Sequence, residues 1–415
     1  MPLPEGLTPP FLRLLESEHP LISDVVRIER PDHWPDYNYT MVTPYNFSAR
    51  AGVNYRASAY LGAGLDDGCA AMSAIGEAVE RYCALTFPLK TYQATIATAG
   101  ADRFTADKLR YYSATQYQQG ELTLSKPTAD SEISWVEVIE QKTEAVRPAP
   151  RDLIVLHNDK PEILYPGSTG LAAHSDRESA YISALCEVVE RDATMLTWMT
   201  HTPARLITPD ATILDQLAAF NNLDREFLLL DVTQNIPLPC IVCLSRERNG
   251  KWPRWVASSA CRLSPDAALA ACLAEHAQAL AIISDMLPRD EPAPSLRQHT
   301  HLWFAASQIK DDDMRFIAHS AIKVSADEWR DAYAGISTGN IDQINSLFFE
   351  RDLNLYMIDL TPDDMKPFGF RVVRVLCPEL QPMSFGLEYR CLGTQRLHER
   401  LEGEKIINPL LHPFP

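Results

Sequence analysis

Two stretches of the chain carry the same chemical groups in the same order. Residues 73–82 read SAIGEAVERY, and residues 183–192 read SALCEVVERD. Each holds a serine, two glutamates and an arginine. On a helix turning roughly 100° per residue, Ser73, Glu77 and Glu80 share one face, within roughly 60° of each other. Ile75, Ala78, Val79 and Tyr82 fall on the opposite face, and Arg81 borders the polar stripe one turn from Glu77. The second copy repeats the stripe with Ser183, Glu187, Glu190 and Arg191, and its apolar side is Leu185, Val188 and Val189. Asp192 stands where Tyr82 stood, beside that apolar side, and so requires a partner. A degenerate third copy, ACLAEHAQA, puts Ala271 in place of the serine, keeps Glu275 and replaces the second glutamate by Gln278.

A glutamate with an arginine four residues on is also a common exposed helix pair, worth a few tenths of a kcal/mol. Two features weigh against that plain reading. The residues around the stripes are small (Ala74, Gly76, Ala78, Ala184), which lets a ligand or another helix come close. The repetition also preserves a serine, which an ion pair does not need. If the stripes face one another, four or five carboxylates converge, and they repel unless protonated or bridged by cations. Ligands that are all oxygen select a hard divalent ion, Mg2+ first. Such an ion keeps positions open for phosphate oxygens, so the stripes describe a nucleotide site. The chain has no GxxxxGK[ST] phosphate loop, which fits a carboxylate–metal–phosphate arrangement.

The elements that must position these groups are three long helices, read over 69–86, 176–200 and 265–286. Asp176 or Ser175 caps the second, and Ser264-Pro265 opens the third. Alternating and apolar runs around 91–99, 132–156, 225–233, 238–263, 353–361 and 370–380 read as strands. Residues 1–44 are Pro-rich and read as an irregular extension with one short amphipathic piece. The stretch 287–300 reads as a Pro-rich surface insert. Helices and strands alternate while the strand patterns are mixed, which fits α+β or α/β.

The bulk numbers narrow the partners. A chain of 415 residues with formal net charge −17 repels nucleic acid and anionic membrane. No run approaches 18 apolar residues, so no membrane span is expected. The start lacks a basic segment followed by an apolar core, so no signal peptide is expected. Nine scattered cysteines, an odd number, fit free thiols in a reducing cytoplasm. Cys240 and Cys243 form a CxxC, but on a strand they face opposite ways, and no second Cys or His pair completes a zinc site.

SAIGEAVERY, SALCEVVERDA followed by TW, the later EHAQ and the distal FRVVRVLCPELQPMSFGLEYRCLG resemble the YcaO superfamily, from about residue 50 to the C-terminus. The ending NPLLHPFP resembles the proline-rich tail of its azoline-forming branch, the D-protein of thiazole/oxazole peptide maturation. The resemblance implies an α+β fold whose mixed sheets carry long helices converging on an ATP and Mg2+ site. It implies an extension over 1–44, a catalytic domain over 45–405 and a tail over 406–415. It makes Glu77, Glu80, Glu187, Glu190 and Glu275 the metal ligands, and Ser73, Ser183, Arg191 and Gln278 the ATP contacts. Arg191 and the terminal carboxylate of Pro415 are the expected catalytic groups.

The implied reaction is ATP-dependent cyclodehydration of Cys, Ser or Thr in a ribosomally made precursor peptide, the chemistry of azole-containing bacteriocins and antibiotics. The implied partners are the precursor, a separate leader-binding protein (E1-like or ocin-ThiF-like) and a flavin-dependent dehydrogenase, in a homodimer or larger hetero-oligomer. Two departures stand out. Ala63 occupies the place of a family lysine, so either another cation, with Arg56 the candidate, helps with phosphate or none does. Leu411 also breaks the PxPxP pattern of the tail, of which Pro413 and Pro415 keep the spacing. The rival readings are thioamide formation with external sulfide, and a non-catalytic scaffold of a peptide-modifying complex.

Overall fold

The computed structural model describes residues 5–19, 21–45, 59–100, 102–120, 122–286, 309–319, 322–336, 340–401 and 407–414. In chain order the elements are α1 (Pro9–Leu15), β1 (Ile22–Ile28), β2 (Asn38–Pro44), β3 (Tyr60–Gly64), α2 (Asp67–Thr86), β4 (Tyr92–Thr95), α3 (Ala114–Gln119), β5 (Glu132–Glu140) and β6 (Val146–Pro150). There follow β7 (Leu171–His174), α4 (Arg177–Thr200), β8 (Arg205–Thr208), α5 (Ala211–Leu217), β9 (Arg225–Asp231), β10 (Cys240–Glu247), β11 (Trp255–Cys261) and α6 (Pro265–Ala281). The chain ends with α7 (Asp311–Ala318), β12 (Lys323–Ser325), α8 (Ala326–Asp331), α9 (Ile341–Phe349), β13 (Tyr356–Asp359), β14 (Arg371–Leu376) and α10 (Gln395–Arg400).

Among the described residues the strands form three sheets. One has three strands in the order β1-β2-β3. The second has five, β11-β10-β9-β8-β12. The third runs β4-β5-β13-β14-β7, with β6 on β5. All pairings are antiparallel except β12 with β8. Mostly antiparallel sheets with intervening helices make the fold α+β. The first 44 residues depart from the irregular extension read from the sequence, because β2 hydrogen-bonds to β3 from Asn38↔Gly64 to Val42↔Tyr60.

Three strand–turn–helix units carry the doubled motif and its degenerate copy. They are β3 to α2, β7 to α4 and β11 to α6. Each helix begins on a side-chain cap: Asp66 accepts from the Cys69 N–H, Asp176 from Ser179 and Ser264 from Ala267. Such caps satisfy an amide at the helix start and fix where it begins. The first glutamate then stands at the same offset in each unit, Asp66 to Glu77, Asp176 to Glu187 and Ser264 to Glu275. At Gly62 a Cβ would come within 2.1 Å of the Ala70 carbonyl, so only glycine lets α2 lie this close on β3.

Each helix lies between a different pair of sheets. Helix α2 packs on β2 and β3 and reaches β7 and β14. Helix α4 packs on β7 and β14 and also on β10 and β11. Helix α6 packs on β10 and β11 and also on β3. Three hydrophobic cores follow, one around each helix. This placement explains α6, which with the π-helical turn after it (Ile282–Met286) is long and apolar enough to span a membrane by composition, with mean hydropathy 1.5 over Pro265–Asp285. The sequence reading expected no such segment. A helix covered on two sides is apolar nearly all round, and here the cover is two sheets.

The remaining sequence expectations resolve simply. Cys240 lies in the α4 core beside Cys261 and Cys186, whereas Cys243 lies in the α6 core beside Cys272. The CxxC is thus split across the sheet, and all nine cysteines are free thiols. Asp192 has its partners: Arg396 donates to both its oxygens at 3.0 and 2.6 Å, and the Gln381 N–H donates at 2.8 Å. Asp192→Ala leaves the buried Gln381 amide without its acceptor and the Arg396 guanidinium with Asn235 but no carboxylate. It should cost about 3–5 kcal/mol of stability, read from urea unfolding. The insert over 287–300 lies outside the described residues.

Candidate active site

The polar stripes of α2, α4 and α6 meet where the three sheets come together. On α2, Arg81 donates to Glu80 and also pairs with Glu77 at 3.3 Å. On α4, Arg191 stands 3.6 Å from Glu187 and 3.5 Å from Glu190. The neighbouring strand units hold the second pair from outside the helix. The Gly170 N–H donates to Glu187 at 3.1 Å. Glu190 accepts from the Ser259 hydroxyl at 2.7 Å and from the Cys261 N–H at 3.1 Å. Exposure falls across the cluster, from 36% for the Glu77 side chain to 4% for Glu190.

The electrostatics show how close the stripes are. Burial pushes Glu80 up to about 8, with Glu187 and Glu77 adding to it and Arg81 and Arg374 opposing. Burial also raises Glu187, helped by Glu190 and opposed by Arg191, Arg81 and Arg374. Glu275 rises to about 8 through burial, Glu190 and Glu187, against Arg191 and Arg262. Carboxylates on three separate helices therefore feel one another across the site. Burial works against the guanidiniums of Arg191 and Arg262, yet the surrounding glutamates hold both above the usual arginine range. Arg374, on β14, is depressed to about 10 by burial, with Glu187 and Glu80 pulling the other way.

The structure thus brings Glu77, Glu80, Glu187, Glu190, Glu275 and Arg191 into one cluster. Ser73 is exposed on α2, and Ser183 and Gln278 are half-buried on α4 and α6. Ala63 is a buried core residue of β3. Arg56 and Pro415 lie outside the described residues. Sequence reasoning missed Arg374 and Arg262. The signal for Arg374 was present: a charged residue inside the apolar run VVRVL of a core strand is costly unless a partner faces it.

The tail is packed rather than frayed. Leu411, His412 and Phe414 are buried. Phe414 meets Trp198 of α4 edge-on at 6.5 Å, and the Trp198 indole N–H donates to the Leu410 carbonyl at 3.2 Å. A hydrogen bond of 3.0 Å joins His412 Nε2 to the Ser384 carbonyl. Burial, with Arg191 and Arg390 adding to it, lowers His412 to about 4. His412 therefore lies within electrostatic reach of Arg191.

The residues fit a magnesium–phosphate ligand. Every acidic group is an oxygen donor, and burial with the neighbouring glutamates raises two of the carboxyls to about 8, a charge cost that a bound divalent cation would offset. Among the described residues no three His, Cys, Asp or Glu close on a single point, and Arg81 and Arg191 hold the carboxylates.

Comparison with known proteins agrees with this geometry. The family model described as "YcaO cyclodehydratase, ATP-ad Mg2+-binding" matches residues 61–381. A curated relative from Rhizobium leguminosarum bv. trifolii, an uncharacterized protein in the tfuA 3' region, is 28% identical over 283 residues, 64% of each chain. A heterocyclase solved in complex with substrate and cofactor superposes over 100% of this chain and 59% of its own, with TM-score 0.74 and 20% identity. The chain therefore spans less than two thirds of both. YcaO from Methanopyrus kandleri, bound with AMPPCP and Mg2+, matches 89% of this chain and 87% of its own, with TM-score 0.63 and 16% identity. The E. coli microcin synthetase McbBCD complex with pro-MccB17 bound matches 97% of this chain and 98% of its own, with TM-score 0.66 and 15% identity. With the family model matched over most of its length and the paired carboxylates gathered from three helices, the chain belongs to the YcaO family, whose cofactors are ATP and Mg2+.

Proposed function

We propose that the chain is the ATP-dependent subunit that turns Cys, Ser or Thr of a ribosomally made precursor peptide into thiazoline or oxazoline. The observation that supports it most is the meeting of the three carboxylate stripes, ringed by Arg81, Arg191, Arg262 and Arg374. Glu77, Glu80, Glu187, Glu190 and Glu275 would hold Mg2+, and Ser73, Ser183, Arg191 and Gln278 would contact the nucleotide. Bound there, Mg·ATP supplies the phosphoryl group that converts an amide oxygen into a leaving group.

In the reaction the substrate's thiol or hydroxyl would lose its proton to a base and bond to the preceding carbonyl carbon, and that oxygen would take the γ-phosphoryl group of ATP as ADP leaves. The C–O bond then breaks, phosphate leaves, and the amide proton is lost to a base as C=N forms. The residues of this chain align and neutralise. Gly170, Ser259 and Cys261 fix the orientation of Glu187 and Glu190, so little reorganisation is needed when charge develops. Arg191, between the carboxylates and the tail, offsets charge on the departing phosphate. Pro415, next to a tail segment anchored on Trp198, is the second proposed catalytic residue. Deleting Pro415 alone should lower ring formation by about 100-fold or more while leaving ATP affinity unchanged, measured by single-turnover kinetics and calorimetry.

A separate leader-binding protein brings the precursor in the cytoplasm, and a flavin-dependent dehydrogenase oxidises the rings. The chain is similar to one chain of the E. coli microcin synthetase McbBCD, which is a complex with pro-MccB17 bound. Mass spectrometry of the peptide after incubation with Mg·ATP tests the assignment. Loss of one water per modified residue supports it. Exchange of oxygen for sulfur would move the chain to thioamide formation, and an unmodified peptide in the presence of all partners would leave only a scaffold.

A further inference from the structure

Beside the carboxylate cluster lies an open cleft of about 80 Å³. Its walls include Tyr165, Gly167, Val188, Arg374, Leu376 and Met383. Val188 follows Glu187 on α4, and the Arg374 guanidinium is attracted by both Glu187 and Glu80. The cleft and the cluster thus share a wall. Three observations define what fits in it.

The first is polarity. The walls are mostly aliphatic and aromatic. The one carboxylate among them, Asp152, is already used, accepting from Asn158 and from the N–H groups of Glu162 and Ile163 at 2.6–2.9 Å. A charged or strongly hydrated occupant would lose its water without replacement. The second is rigidity. Tyr165 meets Tyr389 in a tilted ring contact with centroids 4.1 Å apart, and its hydroxyl bonds Thr123 at 2.8 Å. Arg374 donates to the Gly167 carbonyl at 2.7 Å. A small preformed apolar cleft, open on one side, takes one apolar side chain and leaves its backbone at the mouth. The third is an unused donor. Arg374 is 4% exposed and among the described residues its Nε has no hydrogen-bond partner, and a buried donor of this kind is costly unless a ligand completes it.

We infer that this cleft is a peptide subsite for an apolar or aromatic side chain on the residue preceding the one modified, with Arg374 Nε donating to that residue's backbone. The inference rests on the proposed peptide cyclisation. The attacked carbonyl belongs to the preceding residue, so that residue's side chain branches one bond from the reacting carbon. It must then enter a space directly beside the carboxylate cluster. The chain would in this way choose among the cysteines, serines and threonines of a precursor by what stands before each.

The test uses the full chain and synthetic peptides acetyl-Gly-X-Cys-Gly-Gly-amide. With X as benzoylphenylalanine, irradiation should crosslink to the segments holding Tyr165, Leu376 or Met383. An excess of the X = Phe peptide should suppress that crosslink at least tenfold more effectively than the X = Gly or X = Asp peptide. Met383→Trp and, separately, Leu376→Trp should fill the cleft and cut crosslinking about tenfold, with ATP binding and melting temperature as folding controls. Crosslinks confined to other segments, or equal competition by the Phe, Gly and Asp peptides, would overturn the subsite. Cleft crosslinks in a chain that removes water from no precursor would uphold the subsite and sink the cyclisation reading instead.

Discussion

Glu80→Gln should lower peptide-dependent ATP turnover by about a thousandfold and, in the same protein, raise the melting temperature of the nucleotide-free form. The loss follows from removing one of the anionic groups that would hold the metal against phosphate, an electrostatic contribution of several kcal/mol in a dehydrated site. The gain follows from the sign of the shift. Glu80 titrates at about 8 rather than 4.5, because burial and the charges of Glu187 and Glu77 disfavour its ionised form. At pH 8.5 the wild-type chain must carry that disfavoured charge, and a neutral amide of the same shape does not. Arg81 keeps Glu77 as a partner in the variant, so no guanidinium is stranded. Thermal melts at pH 8.5 and steady-state ATPase assays check the two halves separately. Retained turnover would remove Glu80 from the site and favour the scaffold reading.

Mg·ATP should bind with release of protons, and its affinity should rise with pH between about 6 and 8. Without a cation, Glu80 and Glu275 both sit near pKa 8 and hold their protons at neutral pH. A divalent cation needs them ionised, so binding displaces up to about two protons. Calorimetry in buffers of differing ionisation enthalpy counts them directly. The same shifts set the pH dependence of stability. Folded-state pKa values above 4.5 mean the native protein binds more protons than the unfolded chain between pH 4.5 and 8, so stability falls as pH rises through that window. Saturating Mg·ATP should restore it, and EDTA should abolish the restoration.

The site was legible where a local rule met repetition. A helix of known pitch fixes which residues share a face, so Glu77 with Glu80 and Glu187 with Glu190 were readable before any fold was known. The same geometry demanded a partner for Asp192, which Arg396 supplies. Other features depend on pairings between distant segments. Arg374 matters because β14 lies beside β7, a pairing no short window of sequence contains. The sheet role of residues 38–44 was hidden because the run is short and ends in proline, and it becomes a strand between Ile22–Ile28 and Tyr60–Gly64. Helix α6 has too little polar surface for its length to show, in sequence, which side meets a sheet and which meets the carboxylates.

The placement of each motif helix between a different pair of sheets has a consequence for how the molecule comes apart. Prising any two layers from each other strips the cover from one helix and pulls its acidic pair away from the other two. A bound nucleotide would then act like the keystone of a vault, loading all three seams at once. Resistance to proteolysis at sites far from one another should accordingly rise together, at a single ligand concentration, rather than segment by segment.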